Sequence, residues 1–203
     1  MAGKFIVLEG LSAVGKTTIA SLLAERLKAD LVGTVPQILE ELRHMVCYQD
    51  SLDARYTFFF AAMVCSSQTI NEKLKSGKDV VCESFIYRTI AFHRGMGSSL
   101  NYTVPTDFPI PDFAIHLRCA QEDRCRRLSS REKIFTAWDQ LAEDSAKTIL
   151  HEYSAFSMID VDTTNMAVRD LVELLAHIVE TDENHQLMAG HQDFFSAVSG
   201  TPA

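Results

Sequence analysis

Gly10, Gly15, Lys16 and Thr17 stand at the spacing G-x-x-x-x-G-K-[ST] within Gly10-Leu11-Ser12-Ala13-Val14-Gly15-Lys16-Thr17-Thr18. Glycines at this spacing let a loop turn its backbone N–H groups inward around phosphate oxygens. The lysine reaches the outer phosphates, and the hydroxyl after it ligates Mg²⁺. This is the Walker A pattern, and it predicts ATP or GTP with Mg²⁺ as the ligand, cradled by Gly10, Ser12, Ala13, Val14, Gly15, Lys16, Thr17 and Thr18. Four free positions allow chance matches. Here, however, the segment lies between the strand-like run Phe5-Ile6-Val7-Leu8 and a helix-like stretch from Thr18 to Lys28, the context that phosphate binding needs.

A second chemical position is Glu83, at the carboxyl end of the apolar run Asp79-Val80-Val81-Cys82. Open α/β sheets place ligands at such strand ends, and a carboxylate there holds Mg²⁺ directly or through water, so Thr17 and Glu83 are the expected metal ligands. The plainer alternative is a solvated acid. Tyr87 and Arg88 follow one turn later and should project over the same end of the sheet. An arginine there can neutralise an acceptor's phosphate or carboxylate, or simply decorate an exposed helix. His93 and Arg94 are assigned to the surface.

Arg124, Arg126, Arg127, Arg131 and Lys133 form a basic cluster in an acidic chain. Phosphoryl transfer spreads negative charge over the moving group, and basic flaps close onto it. Helical spacing separates Arg126 from Arg124 and Arg127. Arg131 and Lys133, past that helix, are the preferred catalytic pair beside Lys16 and Glu83. Upstream, Arg55-Tyr56-Thr57-Phe58-Phe59-Phe60 opens a long helix with more rings than a core face needs. These rings either pack the core or line a pocket for a flat acceptor, with Arg55, Phe59 and Gln68 as the contacting residues.

The elements that must position these groups alternate strand and helix, the pattern of a parallel sheet covered on both faces. Strands are predicted at 4–9, 30–34, 79–82, 112–117 and 157–161. Helices are predicted at 16–28, from Pro36 to about Met45, at 53–75 with Gly77 just past its end, from Phe85 towards His93, at 121–128, at 135–153 and at 168–180. A long loop spans 95–111. One domain covers residues 1–181, and 182–203 reads as a mobile tail.

Bulk properties narrow the function. The chain's 203 residues with 47% hydrophobic content support one sizeable core. A formal net charge of −8 disfavours a nucleic-acid polymer as partner. Five cysteines, mostly in apolar stretches and without C-x-x-C pairs, read as buried reduced thiols. With no membrane-length apolar run and no signal-peptide pattern, the expectation is a cytoplasmic protein with a small-molecule acceptor and no membrane partner; a homodimer is compatible with this.

Taken together, these positions resemble the thymidylate kinase and deoxynucleoside kinase group of P-loop kinases. Phe5-Ile6-Val7-Leu8-Glu9-Gly10-Leu11 followed by Gly15-Lys16-Thr17-Thr18 is similar to the family opening FIVFEGLDGAGKTT. The likeness continues through Val80-Val81-Cys82-Glu83-Ser84, Pro111-Asp112-Phe113-Ala114-Ile115-His116-Leu117 and Arg127-Leu128-Ser129-Ser130-Arg131-Glu132-Lys133. The resemblance implies a P-loop NTPase fold of the α/β class, with a five-stranded parallel sheet, helices on both faces and an Arg-rich lid. It also implies transfer of the γ-phosphoryl of ATP, with Mg²⁺, to a nucleotide or nucleoside. The departures lie on the acceptor side. Ser12 stands where the family has Asp, Thr34-Val35-Pro36 where it has Arg-Glu-Pro, and Glu83-Ser84-Phe85 where it has Asp-Arg-Tyr. A kinase for a non-nucleotide metabolite or antibiotic therefore stays open, as does a nucleotide-binding regulatory module. If the acceptor is a free hydroxyl, Glu40, Glu41 or Glu83 can take its proton.

Overall fold

A computed structural model describes residues 2–47, 51–130 and 135–181; the expected tail at 182–203 lies outside the described residues. Five strands, β1 (Phe5–Glu9), β2 (Asp30–Val32), β3 (Val80–Cys82), β4 (Phe113–Arg118) and β5 (Ile159–Asp162), form one sheet in the order β2-β3-β1-β4-β5. Every pairing is parallel, with Val7 opposite Cys82 on one side and Ala114 on the other. All five β1 residues are buried, and because successive side chains point to opposite faces, both faces of the central strand are covered. Each fully buried Ile, Leu or Val there contributes about 1.5–3 kcal/mol.

The helices are α1 (Lys16–Leu27), α2 (Glu40–Cys47), α3 (Leu52–Lys75), α4 (Ile86–Gly95), α5 (Gln121–Ser129), α6 (Ala137–Asp144), α7 (Ala146–Tyr153) and α8 (Val168–Thr181). α1 packs on α8, and α4 packs on both α3 and α7. α3 ends as expected. Gly77, at φ 81°, lets its own N–H reach the Leu74 carbonyl while Lys78 N–H reaches Lys73, which satisfies the last turn.

The expected single helix over 135–153 is two helices. Ser145, at φ −93° and ψ 7°, leaves helical geometry and redirects α7. The redirection lets α7 pack closely on α4: a Cβ on Gly95 would lie 2.7 Å from the Ile149 backbone, and Thr148 Oγ1 donates to the Gly95 carbonyl at 2.7 Å.

Two smaller expectations also change. Pro36 precedes a short 3₁₀ turn (Gln37–Leu39) rather than opening an α-helix directly. Of the four cysteines whose environment is described, only Cys82 is buried; Cys119 is half-buried, and Cys65 and Cys125 are exposed on their helices. Among the described residues no helix is long and apolar enough to cross a membrane.

Candidate active site

From β1 the chain crosses towards β2 and β3, and from β3 it crosses back over β1 to β4. The carboxyl ends of β1 and β3 therefore border the point where connections diverge, which is where parallel sheets leave a crevice. The loop after β1 has the conformation its glycines predict. Gly10 has φ 132°, and a Cβ there would sit 2.3 Å from the Leu117 carbonyl oxygen, so no other residue fits. Gly15, at φ 106°, begins α1 and supplies no side-chain cap. The first N–H groups of α1 thus face the loop, with the positive end of the helix dipole behind them. Lys16 is buried, and its Nζ donates to the carbonyls of Gly10 at 2.9 Å and Leu11 at 2.8 Å.

Thr17 Oγ1 donates to Glu83 Oε1 at 2.7 Å, which brings together the two residues expected to ligate metal. A hydroxyl oxygen and a carboxylate oxygen at the mouth of a phosphate loop are the hard donors that Mg²⁺ takes from protein while phosphates and water fill its other positions, so the residues present fit the ion.

Sequence reasoning left Glu9 as a strand-end residue, yet it is fully buried beneath the loop. Its Oε1 accepts from Phe85 N–H at 2.9 Å, and its Oε2 accepts from the Tyr153 hydroxyl at 3.3 Å. The Tyr153 oxygen in turn accepts from Gly10 N–H at 3.3 Å. Burial pushes the Glu9 carboxyl up to about 7, against the opposing effects of the Phe85 N–H and the nearby Arg88 and Lys16. Glu9 therefore ties the loop to the turn between β3 and α4. Its signal in the sequence was a charged residue ending a continuous apolar run.

On the acceptor side, Arg88 Nη1 donates to the Gly10 carbonyl at 3.2 Å while its guanidinium lies 3.8 Å from the centroid of the Phe92 ring. Arg88 thus faces the loop, as expected. Tyr87 does not: it is fully buried with its ring edge-on to Phe156, and desolvation pushes its hydroxyl well above the ordinary range. Arg55 stacks on Phe59 at 5.0 Å. Gln68 is exposed on α3, and at 100° per residue it points about opposite to Phe59, so the structure does not bring the two together.

His93 is a correction, because it is only 4% exposed rather than on the surface. Its ring stacks on Tyr56 at 4.7 Å, its Nδ1 donates to the Thr89 carbonyl at 2.6 Å, and its Nε2 is buried without a hydrogen-bond partner among the described residues. Burial lowers its pKa to about 4, so the ring is neutral at pH 7. The two rewritten segments touch directly, Thr34 Oγ1 donating to the Ser84 carbonyl at 2.5 Å. Glu40 pairs with Arg43 at 2.8 Å, and Glu41 is exposed.

The basic cluster divides. Arg124 is buried and paired with Glu143 of α6 at 2.6 Å, and Arg126 is exposed beside Asp123. Arg127 Nη1 donates to the Val14 carbonyl at 3.4 Å, which places it against the loop. Thr163 Oγ1 donates to the same oxygen at 3.4 Å. Arg131 and Lys133 lie outside the described residues. Arg127 was passed over in favour of Arg131 and Lys133, which lie past the helix; Arg124 and Arg127 share one side of it. Only the packing of α5 separates one from the other.

The model of the thymidylate kinase family matches residues 8–172. A probable thymidylate kinase of Methanococcus vannielii is 30% identical over 134 residues, covering 64% of this chain and 68% of that protein. One from Methanococcus maripaludis is 29% identical over 194 residues, covering 87% and 96%. Among solved structures, thymidylate kinase from Candida albicans has a TM-score of 0.71 at 19% identity, covering 91% of this chain and 94% of that one. Deoxyadenosine kinase from M. mycoides has a TM-score of 0.63 at 15% identity, covering 87% and 99%. At these identities the two structures speak for the fold alone.

Proposed function

Because the chain belongs to the thymidylate kinase family, we propose that it transfers the γ-phosphoryl of ATP to a nucleoside monophosphate, thymidine monophosphate first among them. The observation that carries this reading is the pairing of Thr17 with Glu83 at 2.7 Å beside a buried Lys16. When bound there, Mg²⁺ supplies positive charge to the β- and γ-phosphates.

The protein's share is positioning and charge stabilisation, since phosphoryl transfer leaves it little covalent work. Lys16 exchanges the Gly10 and Leu11 carbonyls for phosphate oxygens, and Thr17 and Glu83 hold the metal. Arg127 stands over Val14 at the loop's outer wall, and Arg131 and Lys133, which lie outside the described residues, are the further cations that the family resemblance assigns to the transferring group.

Arg88 supplies the cation that Ser84 lacks. The family's Asp-Arg-Tyr carries its arginine where this chain has Ser84, and Arg88, one turn further, already reaches the Gly10 carbonyl. It neutralises the acceptor phosphate and aligns it with the γ-phosphoryl. A phosphate acceptor attacks through an oxygen that is already anionic, so no general base is required of Glu40, Glu41 or Glu83.

The test is ADP release from Mg-ATP across nucleoside monophosphates, nucleosides and small alcohols. Turnover with one or more monophosphates is expected. Turnover confined to nucleosides or non-nucleotide alcohols, or ADP release independent of any acceptor, would overturn the reading.

A further inference from the structure

Glu83 is the first residue past β3, and the backbone is held on both sides of it. Before it, Cys82 is paired in the sheet opposite Val7 of β1 and Val32 of β2. After it, the peptide unit that joins Ser84 to Phe85 is held at both polar ends. Its N–H, on Phe85, donates to Glu9 Oε1 at 2.9 Å. Its carbonyl, on Ser84, accepts from Thr34 Oγ1 at 2.5 Å and from the Cys82 thiol at 3.1 Å. A trans peptide is planar, with N–H and C=O pointing in opposite directions, so partners at both ends fix its rotation.

Among these partners Glu9 and Cys82 belong to β1 and β3, whereas Thr34 stands two residues past β2, at the edge of the sheet. An edge segment needs an anchor of its own to hold anything else. Ser66 of α3 supplies it: this buried hydroxyl lies 3.2 Å from the Gly33 carbonyl and 3.1 Å from the Thr34 carbonyl, and shares its one proton between them. The line of contacts runs from α3 through Thr34 to Ser84 and ends one residue from Glu83. Glu83 in turn faces Thr17 of α1 at 2.7 Å. The carboxylate thus owes its place opposite Thr17 to a peptide that Thr34 helps to fix.

We infer that Thr34 is a positioning residue for the metal-holding pair: its hydroxyl fixes the Ser84 carbonyl and thereby keeps Glu83 opposite Thr17. This rests on the reading of Thr17 and Glu83 as the residues that hold Mg²⁺. A carboxylate already in place when the ion arrives loses little freedom on binding it. Without the Thr34 hydroxyl, the Ser84 carbonyl keeps only the thiol of Cys82, a weak donor, and the turn gains room to rotate.

Two measurements that do not depend on turnover test this on wild type, Thr34→Val, Thr34→Ser, Ser66→Ala, Glu83→Gln and the Thr34→Val, Glu83→Gln double variant. The first is calorimetric titration with ADP in Mg²⁺ and in EDTA, which gives the gain in affinity that Mg²⁺ confers. Thr34→Val keeps the shape and removes the hydroxyl, so it should reduce that gain about fivefold, the size of one lost hydrogen bond, with ADP affinity in EDTA unchanged. Thr34→Ser, which keeps the hydroxyl, should restore most of it. Ser66→Ala frees the segment from α3 and should reduce the gain in the same direction. In the Glu83→Gln background, Thr34→Val should reduce it no further. The second is amide exchange in the metal-free protein, which should quicken about fivefold at Phe85 in Thr34→Val while exchange in β1 stays as in wild type.

A wild-type gain from Mg²⁺ in Thr34→Val, or equal losses in Mg²⁺ and in EDTA, would make Thr34 an ordinary structural contact and overturn the inference. Additive losses in the double variant, no rescue by Thr34→Ser, or unchanged exchange at Phe85 would do the same, and each leaves the kinase reading intact. If Thr34→Val does not fold, Ser66→Ala decides, and an unaltered gain there overturns the inference. A wild type whose ADP affinity is indifferent to Mg²⁺ would overturn the metal reading and the inference together.

Discussion

Replacing Glu9 with Gln tests the buried network beneath the phosphate loop. The carboxyl is fully buried, and burial pushes it up to about 7 in the folded protein, against 4.5 for an ordinary glutamate. Between those values the native state binds more protons than the unfolded chain, so Glu9 makes stability fall as pH rises. Its favourable contribution is complete below pH 4.5 and is lost as pH rises through about 7, a change of about 3 kcal/mol. His93 acts in the opposite sense. Its folded value is lowered from 6.5 to about 4, so its contribution is present above pH 6.5 and lost as pH falls through about 4. The two slopes oppose each other in wild type, and only a difference between variants isolates Glu9. Glu9→Gln keeps an acceptor for Phe85 N–H and removes the titration. Urea unfolding of both proteins from pH 4.5 to 8 should show the variant gaining on wild type by about 3 kcal/mol across the range. A difference that does not change with pH would refute both the burial argument and the raised value.

Other substitutions address single contacts. Lys16→Ala should lower turnover by about 10²–10³, as expected for a lost contact to developing charge, with an unchanged melting temperature; near-normal kcat would remove the loop lysine from the mechanism. Glu83→Gln keeps the shape and loses the charge facing Thr17, so the Mg²⁺ titration of activity should move to higher concentration, and an unchanged titration would return Glu83 to a structural role. Gly95→Ala places a Cβ 2.7 Å from the Ile149 backbone and should cost about 1–3 kcal/mol in urea unfolding; wild-type stability would show that α4 and α7 can separate freely.

Most of the fold was legible because its signals are local. Continuous apolar runs mark the strands, Gly77 marks the end of α3, and the glycines of the phosphate loop have no substitute at their positive φ angles. The meeting of Thr17 with Glu83 was legible for the same reason: Thr17 follows Lys16 by rule, and Glu83 ends a strand. What the sequence did not show depends on packing between distant segments. The break at Ser145 carries no glycine or proline and follows from how closely α7 meets Gly95. His93 reads as polar yet is stacked under Tyr56, and Arg124 and Arg127 share a helix face yet end on Glu143 and Val14. Glu9 was visible as a residue but not as a buried acid, because its partners Phe85 and Tyr153 lie 76 and 144 positions away in the chain.

The central claim is γ-phosphoryl transfer to a nucleotide by the Lys16, Thr17 and Glu83 site. The most direct measurement follows γ-labelled ATP with Mg²⁺ and thymidine monophosphate, with product identified by chromatography and mass, in wild type and Lys16→Ala. The expected result is label in a nucleoside diphosphate, one per ADP formed, and its near-complete loss in the variant. Label appearing only as inorganic phosphate, or equal diphosphate formation by both proteins, would contradict the account.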